Sequence, residues 1–388
     1  MQKVKITRGL RFLSKLIITV GLISAAIAYQ APAQNVYTTP VGFTQQGYGS
    51  NQDTIISVPF TQIAAYKGIV GSVSGSMITD ANSPGWPTGQ WVYGNANNPS
   101  PHSTYYVIFT TNAVANGAPC LNAGAYYTIT NNDAGDISVE LVPTTLANVS
   151  AGDSYTIYAY QTLNTVWPNG QGVIPSTSTL SRKTLVLFPC IGCVGQNLAA
   201  PQTFYFLQET AATNWALLNA SPATSNFNDQ IILPDQYMRI RNSAFGPTTN
   251  IVLGEVPEYP IQIPLYTNPV ASGSNQDNYV AIYRPTATSL AQSGLSNSVA
   301  ISPSTLSRKD LVLVLYPDPQ SQNAAFNQTY FFVKPTAVGD SGWRLLNSTP
   351  AGADAGSSNV FALGTGVIVR KVPTNVTSTI IWNSLQTY

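Results

Sequence analysis

Ser178-Thr-Leu-Ser-Arg-Lys-Thr-Leu-Val-Leu187 recurs as Ser304-Thr-Leu-Ser-Arg-Lys-Asp-Leu-Val-Leu313, an offset of 126 residues. An aromatic run follows each copy, Thr203-Phe-Tyr-Phe206 and Thr329-Tyr-Phe-Phe332. A tryptophan phrase comes next, Trp215-Ala-Leu-Leu-Asn219 and Trp343-Arg-Leu-Leu-Asn347, and then an arginine-bearing apolar stretch, Tyr237-Met-Arg-Ile-Arg241 and Val367-Ile-Val-Arg-Lys371. Upstream, Gly49-Ser-Asn-Gln-Asp53 recurs letter for letter as Gly273-Ser-Asn-Gln-Asp277. From Gly49 to Leu180 is 131 residues and from Gly273 to Leu306 is 33, so the first copy is longer by 98. Self-similarity at a fixed period implies one structural unit used again. One module used twice, with a separate element inserted into the first copy, is the simplest account.

The pattern within the copies is that of strands. Short runs rich in Val, Ile, Thr, Tyr and Phe alternate with breaks rich in Gly, Asn and Asp. Asp53-Thr-Ile-Ile-Ser-Val-Pro-Phe60 reads as a strand ended by its proline. In the extra stretch, Trp91–Tyr93, Tyr105–Phe109, Tyr126–Thr130, Ile137–Leu141 and Tyr155–Tyr160 read as five short strands. Asn131-Asn-Asp-Ala-Gly-Asp136 is a hairpin turn between two of them. The spacing suits a meander or small barrel. Thr286–Gln292 is the one weak candidate for a helix after the first 33 residues. The expected fold class is all-β: two related β-sandwich-like modules in tandem, with a small β-barrel or meander inserted in the first. The expected boundaries are 34–72 plus 171–257 for the first module, 73–170 for the insert and 258–388 for the second module.

Residues 1–33 read as a secretory signal peptide. Lys3, Lys5, Arg8, Arg11 and Lys15 precede an apolar run from Leu16 to Ala28, and Ala31-Pro-Ala33 fits the cleavage site. The apolar run is too short to span a bilayer. Without this segment, 12 Lys+Arg face 16 Asp+Glu, a net charge of −4. Such a chain lacks the basic patch that nucleic acid requires. Asn, Gln, Ser, Thr and Tyr supply the polarity that Lys and Glu supply elsewhere. An extracellular or cell-surface β protein with no membrane span is expected.

Several groups invite a chemical reading. Cys190-Ile-Gly-Cys193 has redox spacing, but no helical pattern follows to stabilise a thiolate, and tyrosine and proline stand at this place in the second copy. A loop disulfide or free thiols fit better, and Cys120 is left over. His102 is the only histidine and sits in a proline-rich loop. Asp133, Asp136 and Glu140 are too few for a calcium site, and the turn explains both aspartates. The repeated basic pair, Arg182-Lys183 and Arg308-Lys309, suits a structural role over an aromatic ring or against Asp53 and Asp277. Trp215 and Trp343 read as core anchors. Trp86, Trp91 and Tyr93 occur once, in a turn-rich stretch, and are candidates for a glycan or partner platform; packing of the insert accounts for them as well. No catalytic residue, metal ligand set or cofactor motif emerges.

Asp53–Phe60, Tyr105-Tyr-Val107, Gly124–Asn131, Gly152–Ile157 with Thr162-Leu-Asn-Thr-Val-Trp-Pro168, and the two Thr-Leu-Ser-Arg-Lys blocks together carry a resemblance. The chain resembles a family of secreted, β-rich bacterial proteins found in many copies per genome and without an assigned activity. The resemblance covers nearly all of the chain after residue 33, in order. It implies export and a non-catalytic role, and it supplies no site residue. A structural or adhesive protein acting through surface contacts is therefore expected. Carbohydrate binding at exposed aromatics is the first rival and an extracellular hydrolase the second. Residues 34–49 and 378–388 carry no charged side chain, so a terminal strand that pairs with another molecule is one expected route to self-association or docking; the alternative is that each terminus completes its own module's sheet.

Overall fold

The computed structural model describes residues 39–111, 122–210, 212–243, 245–269, 273–315, 321–334, 341–348, 353–375 and 377–384. Residues 1–33, read above as a signal peptide, and Cys120 lie outside them. The fold is all-β. Strands β1 (Val41–Tyr48) and β2 (Asp53–Ile56) come first. Six strands then close into a barrel: β3 (Tyr66–Ser74), β4 (Met77–Asp80), β5 (Tyr105–Thr111), β6 (Tyr126–Asn132), β7 (Asp136–Val139) and β8 (Ser154–Ala159), in the order β3-β4-β7-β6-β5-β8. After them come β9 (Gln161–Thr162), a single helical turn α1 (Leu163–Val166), β10 (Thr184–Phe188), β11 (Gln202–Glu209) and β12 (Ala212–Leu217). The first module ends with β13 (Ile231–Ile232), β14 (Met238–Asn242) and β15 (Thr248–Glu255). The second comprises β16 (Ile261–Thr267), β17 (Gln276–Val280), β18 (Leu311–Val314), β19 (Gln328–Val333), β20 (Gly342–Leu345), β21 (Val367–Lys371) and β22 (Ser378–Ser384).

Each module has a five-stranded sheet and a two-stranded ribbon. The first sheet runs β2-β14-β10-β11-β12 and the second β17-β21-β18-β19-β20. The ribbons are β1-β15 and β16-β22. The register agrees as well: Asp53 faces Arg241 across β2-β14, and Asp277 faces Arg370 across β17-β21. Isolated bridges fall at matching places, Ser176 with Leu207 and Ser302 with Val333. Between β2 and β9 lie residues 57–160, where the second module has a short connection, and the barrel fills that gap.

Two boundaries move. Strand β3 belongs to the barrel, so the insert starts before residue 73, and α1 packs in the first module. Trp91–Tyr93 forms turns, and Thr286–Gln292 is not helical. Thr162 caps α1 by accepting from the Thr165 N–H at 3.3 Å, while Thr165 Oγ1 accepts from the Thr162 N–H at 2.7 Å. Pro168 then ends the α-turn.

Alternation decides the faces. In β16 (Ile-Gln-Ile-Pro-Leu-Tyr-Thr), Ile261, Ile263 and Leu265 are buried while the residues between them are half-buried. The barrel wall β5–β8 is apolar on both faces because each has a core behind it. Tyr105, Val107, Phe109, Tyr155 and Ile157 fill the barrel interior. Tyr106, Ile108, Tyr158 and Tyr160 pack outward into the core of the second module, with Ile261, Ile263 and Leu265. An element inserted in the first module thus seals the second. Gly124, at φ 88°, lets this happen: a Cβ there would run into the Pro260 carbonyl, and the Gly124 carbonyl accepts from the Gln262 N–H at 3.1 Å.

Candidate functional site

The modules clasp each other through reciprocal contacts. Arg241 Nε and Nη2 donate to the Asp53 carboxylate at 2.7 and 2.8 Å, and Arg370 does the same to Asp277 at 2.7 and 3.0 Å. Bidentate charge-assisted pairs of this kind are strong and directional. The other module completes each pair. The Asn323 N–H donates to Asp53 at 2.9 Å and the Asn197 N–H to Asp277 at 2.7 Å. The two asparagine side chains accept from Arg241 and Arg370 at 2.6 and 2.7 Å. Both asparagines are left-handed, with φ near 55° and 58°, which aims the N–H at the carboxylate. Gln196-Asn197 and Gln322-Asn323 stand 126 residues apart in the same frame as the long repeat, so this signal lay in the sequence unread. Further exchanges follow the same symmetry: the Ala281 N–H bonds the Asp235 carbonyl and the Ser57 N–H the Gly364 carbonyl, both at 2.8 Å.

The partners of Asp53 and Asp277 are therefore Arg241 and Arg370, not the Arg-Lys pair of the long repeat. Arg182 and Arg308 donate to the carbonyls of Thr179 and Thr305, at 3.3 and 3.0 Å, and hold their own loops in a turn. Lys183 lies 5.1 Å from the Phe245 ring centroid and Arg308 5.7 Å from that of Phe331. At the tips of these loops Leu180 and Leu306 are 86% and 87% exposed.

Trp86 and Trp91 are buried inside the barrel, a correction to the platform reading. Trp86 meets Tyr66 edge-on at 4.9 Å, and Trp91 meets Tyr105 at 5.2 Å. Their faces are spent on packing and cannot stack a sugar from solvent. The turn that carries them is drawn in by Asn132, whose side chain accepts from the Trp91 N–H and donates to the Pro87 carbonyl. Tyr93 is half-exposed, and its hydroxyl donates to Asp229 at 2.9 Å. His102 Nδ1 shares the same carboxylate at 3.0 Å. This trio ties a barrel loop to the first module. Trp215 and Trp343 are buried in their modules. Cys190 and Cys193 form a disulfide within one loop. Asp133 and Asp136 close the β6–β7 turn, with the Asp133 N–H donating to the Asp136 carbonyl at 3.0 Å.

Three concavities mark where the bodies meet. The largest, about 590 Å³, lies between β2 of the first module and β18–β19 of the second. A second, about 270 Å³, is bounded by β14, the β10–β11 loop and Tyr279. The third, about 150 Å³, lies at the junction of barrel and modules and includes Tyr126, Tyr160, Asp235 and Tyr266. Burial pushes the Asp235 carboxyl up to about 6, and the Tyr126 hydroxyl, donating at 2.8 Å, holds it back. That bond joins the barrel to the first module, which gives the buried carboxyl a structural task.

The outer face of the β1-β15 ribbon carries four exposed apolar side chains. Val41, Phe43, Ile251 and Leu253 are 60–77% exposed. Phe43 stands directly opposite Leu253 in the ladder. On the corresponding face of β16-β22, Pro264, Tyr266 and Ile381 are half-buried around the junction concavity. Both terminal strands are laddered along their length within their own modules, β1 to β15 and β22 to β16. No helix among the described residues is long and apolar enough to cross a membrane. No family model matches the chain, and no curated protein or solved structure matches it either.

Proposed function

We propose that this is a secreted or cell-surface structural protein that acts through contacts rather than chemistry, and that its contact face is the β1-β15 ribbon. The supporting observation is the row of exposed Val41, Phe43, Ile251 and Leu253; Glu255, opposite Val41 in the ladder, is buried. Contiguous exposed apolar surface on a folded protein marks a place of contact. The occupant we assign is a second copy of this chain. Phe43 and Leu253 are cross-strand neighbours, so two ribbons related by a two-fold axis present the same row to each other. Eight residues at about 3.4 Å each, two strands wide, cover only about 300 Å² per partner. That is well below the roughly 800 Å² per partner of stable complexes, so the association is weak and concentration-dependent. Weak lateral contact suits a protein that accumulates at a surface.

Sedimentation of the full secreted chain up to millimolar concentration tests this. Reversible self-association is expected, and Phe43→Asp with Leu253→Asp should abolish it without lowering the unfolding midpoint. A wild-type chain that stays monomeric, or a variant that associates equally well, would defeat the reading. Fractionation of the source cells should place the protein in the medium or at the outer surface.

A further inference from the structure

Where the modules face each other, three arginines meet two aspartates. Arg241 and Arg370 each hold one carboxylate in a bidentate grip. The Oδ2 atom of each aspartate also accepts an asparagine N–H from the opposite module. Arg239 is left over. Its Nη1 reaches Asp53 Oδ2 only at 3.5 Å, and no other carboxylate among the described residues lies within ion-pair distance of it. Its side chain is 25% exposed, so solutes can approach. The fold does not require this charge: Arg239 pairs with Ile55 and Leu187, and at the same place in the second sheet Ile368 pairs with Tyr279 and Leu313.

The surplus guanidinium borders the concavity of about 270 Å³. Leu187, Leu198 and Tyr279 supply apolar walls, and Tyr237 lines it too. The Tyr237 hydroxyl is buried and makes no well-formed hydrogen bond; the group beside it is the Arg239 guanidinium, which can only donate to it, so its own proton has no acceptor. Tyr237 is close enough to Arg239 for the guanidinium to oppose the rise that burial imposes on its phenol. A cation held by one long ion pair, a phenol proton without an acceptor and apolar walls thus share one small space. We propose that this cavity binds a small organic monocarboxylate with an apolar or aromatic body. Arg239 and the Tyr237 hydroxyl take the carboxylate, and Tyr279 and Leu198 take the body. The planar fork of arginine matches a carboxylate. One surplus positive charge matches a monoanion rather than a phosphate dianion. The volume, just under the usual range for drug-sized ligands, limits the body to about the size of one ring.

Titration of the full-length protein with benzoate, read by calorimetry and ligand-observed NMR, tests the assignment. Benzyl alcohol serves as the neutral control. The wild type should bind benzoate saturably and benzyl alcohol at least tenfold more weakly. Arg239→Ile, which installs the residue the second sheet already uses, should weaken benzoate at least tenfold with the unfolding midpoint nearly unchanged. Tyr237→Phe should weaken it several-fold and provides the readout should the arginine variant fail to fold. Absence of saturable benzoate binding, equal binding of the alcohol, or undiminished binding by the variants would overturn the proposal.

Discussion

At the scale of single residues, the two modules solve one packing problem in two ways. Thr184 Oγ1 donates to the Asn242 side chain at 2.6 Å in the first module. The same places in the second hold Asp310 and Lys371, an ion pair with both side chains almost wholly buried. Asp310 accepts from the Ala300 and Val372 N–H groups at 2.6 and 2.8 Å, and Lys371 donates to the Ser298 carbonyl at 2.7 Å. The charges are desolvated, but each meets its partner and further hydrogen bonds, which offset the cost of burial. Asp310→Ala would strand a buried ammonium and should cost about 3–5 kcal/mol in urea unfolding. The double replacement Asp310→Thr with Lys371→Asn transplants the neutral pair and should recover most of that loss. If the double variant is no more stable than the single one, the two sites are not interchangeable.

At the scale of elements, β22 closes the second module. Trp382 is fully buried, its ring 5.2 Å from Phe361 and its indole N–H donating to the Ser293 carbonyl at 2.8 Å. Trp382→Ala should therefore cost about 3–5 kcal/mol. Deletion of residues 380–388 should unfold the module rather than release a folded monomer. A truncated chain that keeps its near-ultraviolet signature and melting temperature would show that β22 is dispensable and free for exchange. The ribbon β1-β15 differs from β16-β22 in its surroundings. Half-buried residues of the second ribbon line the junction concavity, whereas the apolar row on the first is exposed.

At the scale of the molecule, Asp235 joins all three bodies. It belongs to the first module, its carbonyl accepts from Ala281 of the second, and its carboxyl accepts from Tyr126 of the barrel. Burial raises this carboxyl from its ordinary 3.8 to about 6, so the folded chain holds a proton that the unfolded chain releases. The associated stability is fully present below pH 3.8 and is lost as pH rises through about 6. The difference is on the order of 3 kcal/mol. Asp235→Asn, which keeps an acceptor for Tyr126, should flatten the fall in urea midpoint between pH 4 and 7 and leave the chain more stable at neutral pH. An unchanged slope would place the titrating group elsewhere. Where the two modules meet, symmetry must break: a Cβ on Gly366 would lie 2.5 Å from the Cβ of Tyr237, its counterpart across the interface. Two tyrosines would collide there, and two glycines would leave a void.

The all-β class was legible in the sequence because strands are local: alternation and turn residues specify them within six or eight positions. The 98-residue excess in the first copy likewise marked the place of the barrel. The spacing of Cys190 and Cys193 allowed a loop disulfide or free thiols, and the folded loop brings the two together as a disulfide. What the sequence did not decide is which face of each element would be covered, since that depends on chain hundreds of residues away. Trp86 and Trp91 read equally well as platform or packing until the barrel closed around them. Asp53 could pair with any nearby cation, and only the β2-β14 register set it against Arg241. The surplus of Arg239, the bare β1-β15 face and the barrel's burial against the second module are long-range outcomes of the same kind. Tertiary structure decided them because burial and charge pairing are properties of surfaces brought together, not of neighbours along the chain.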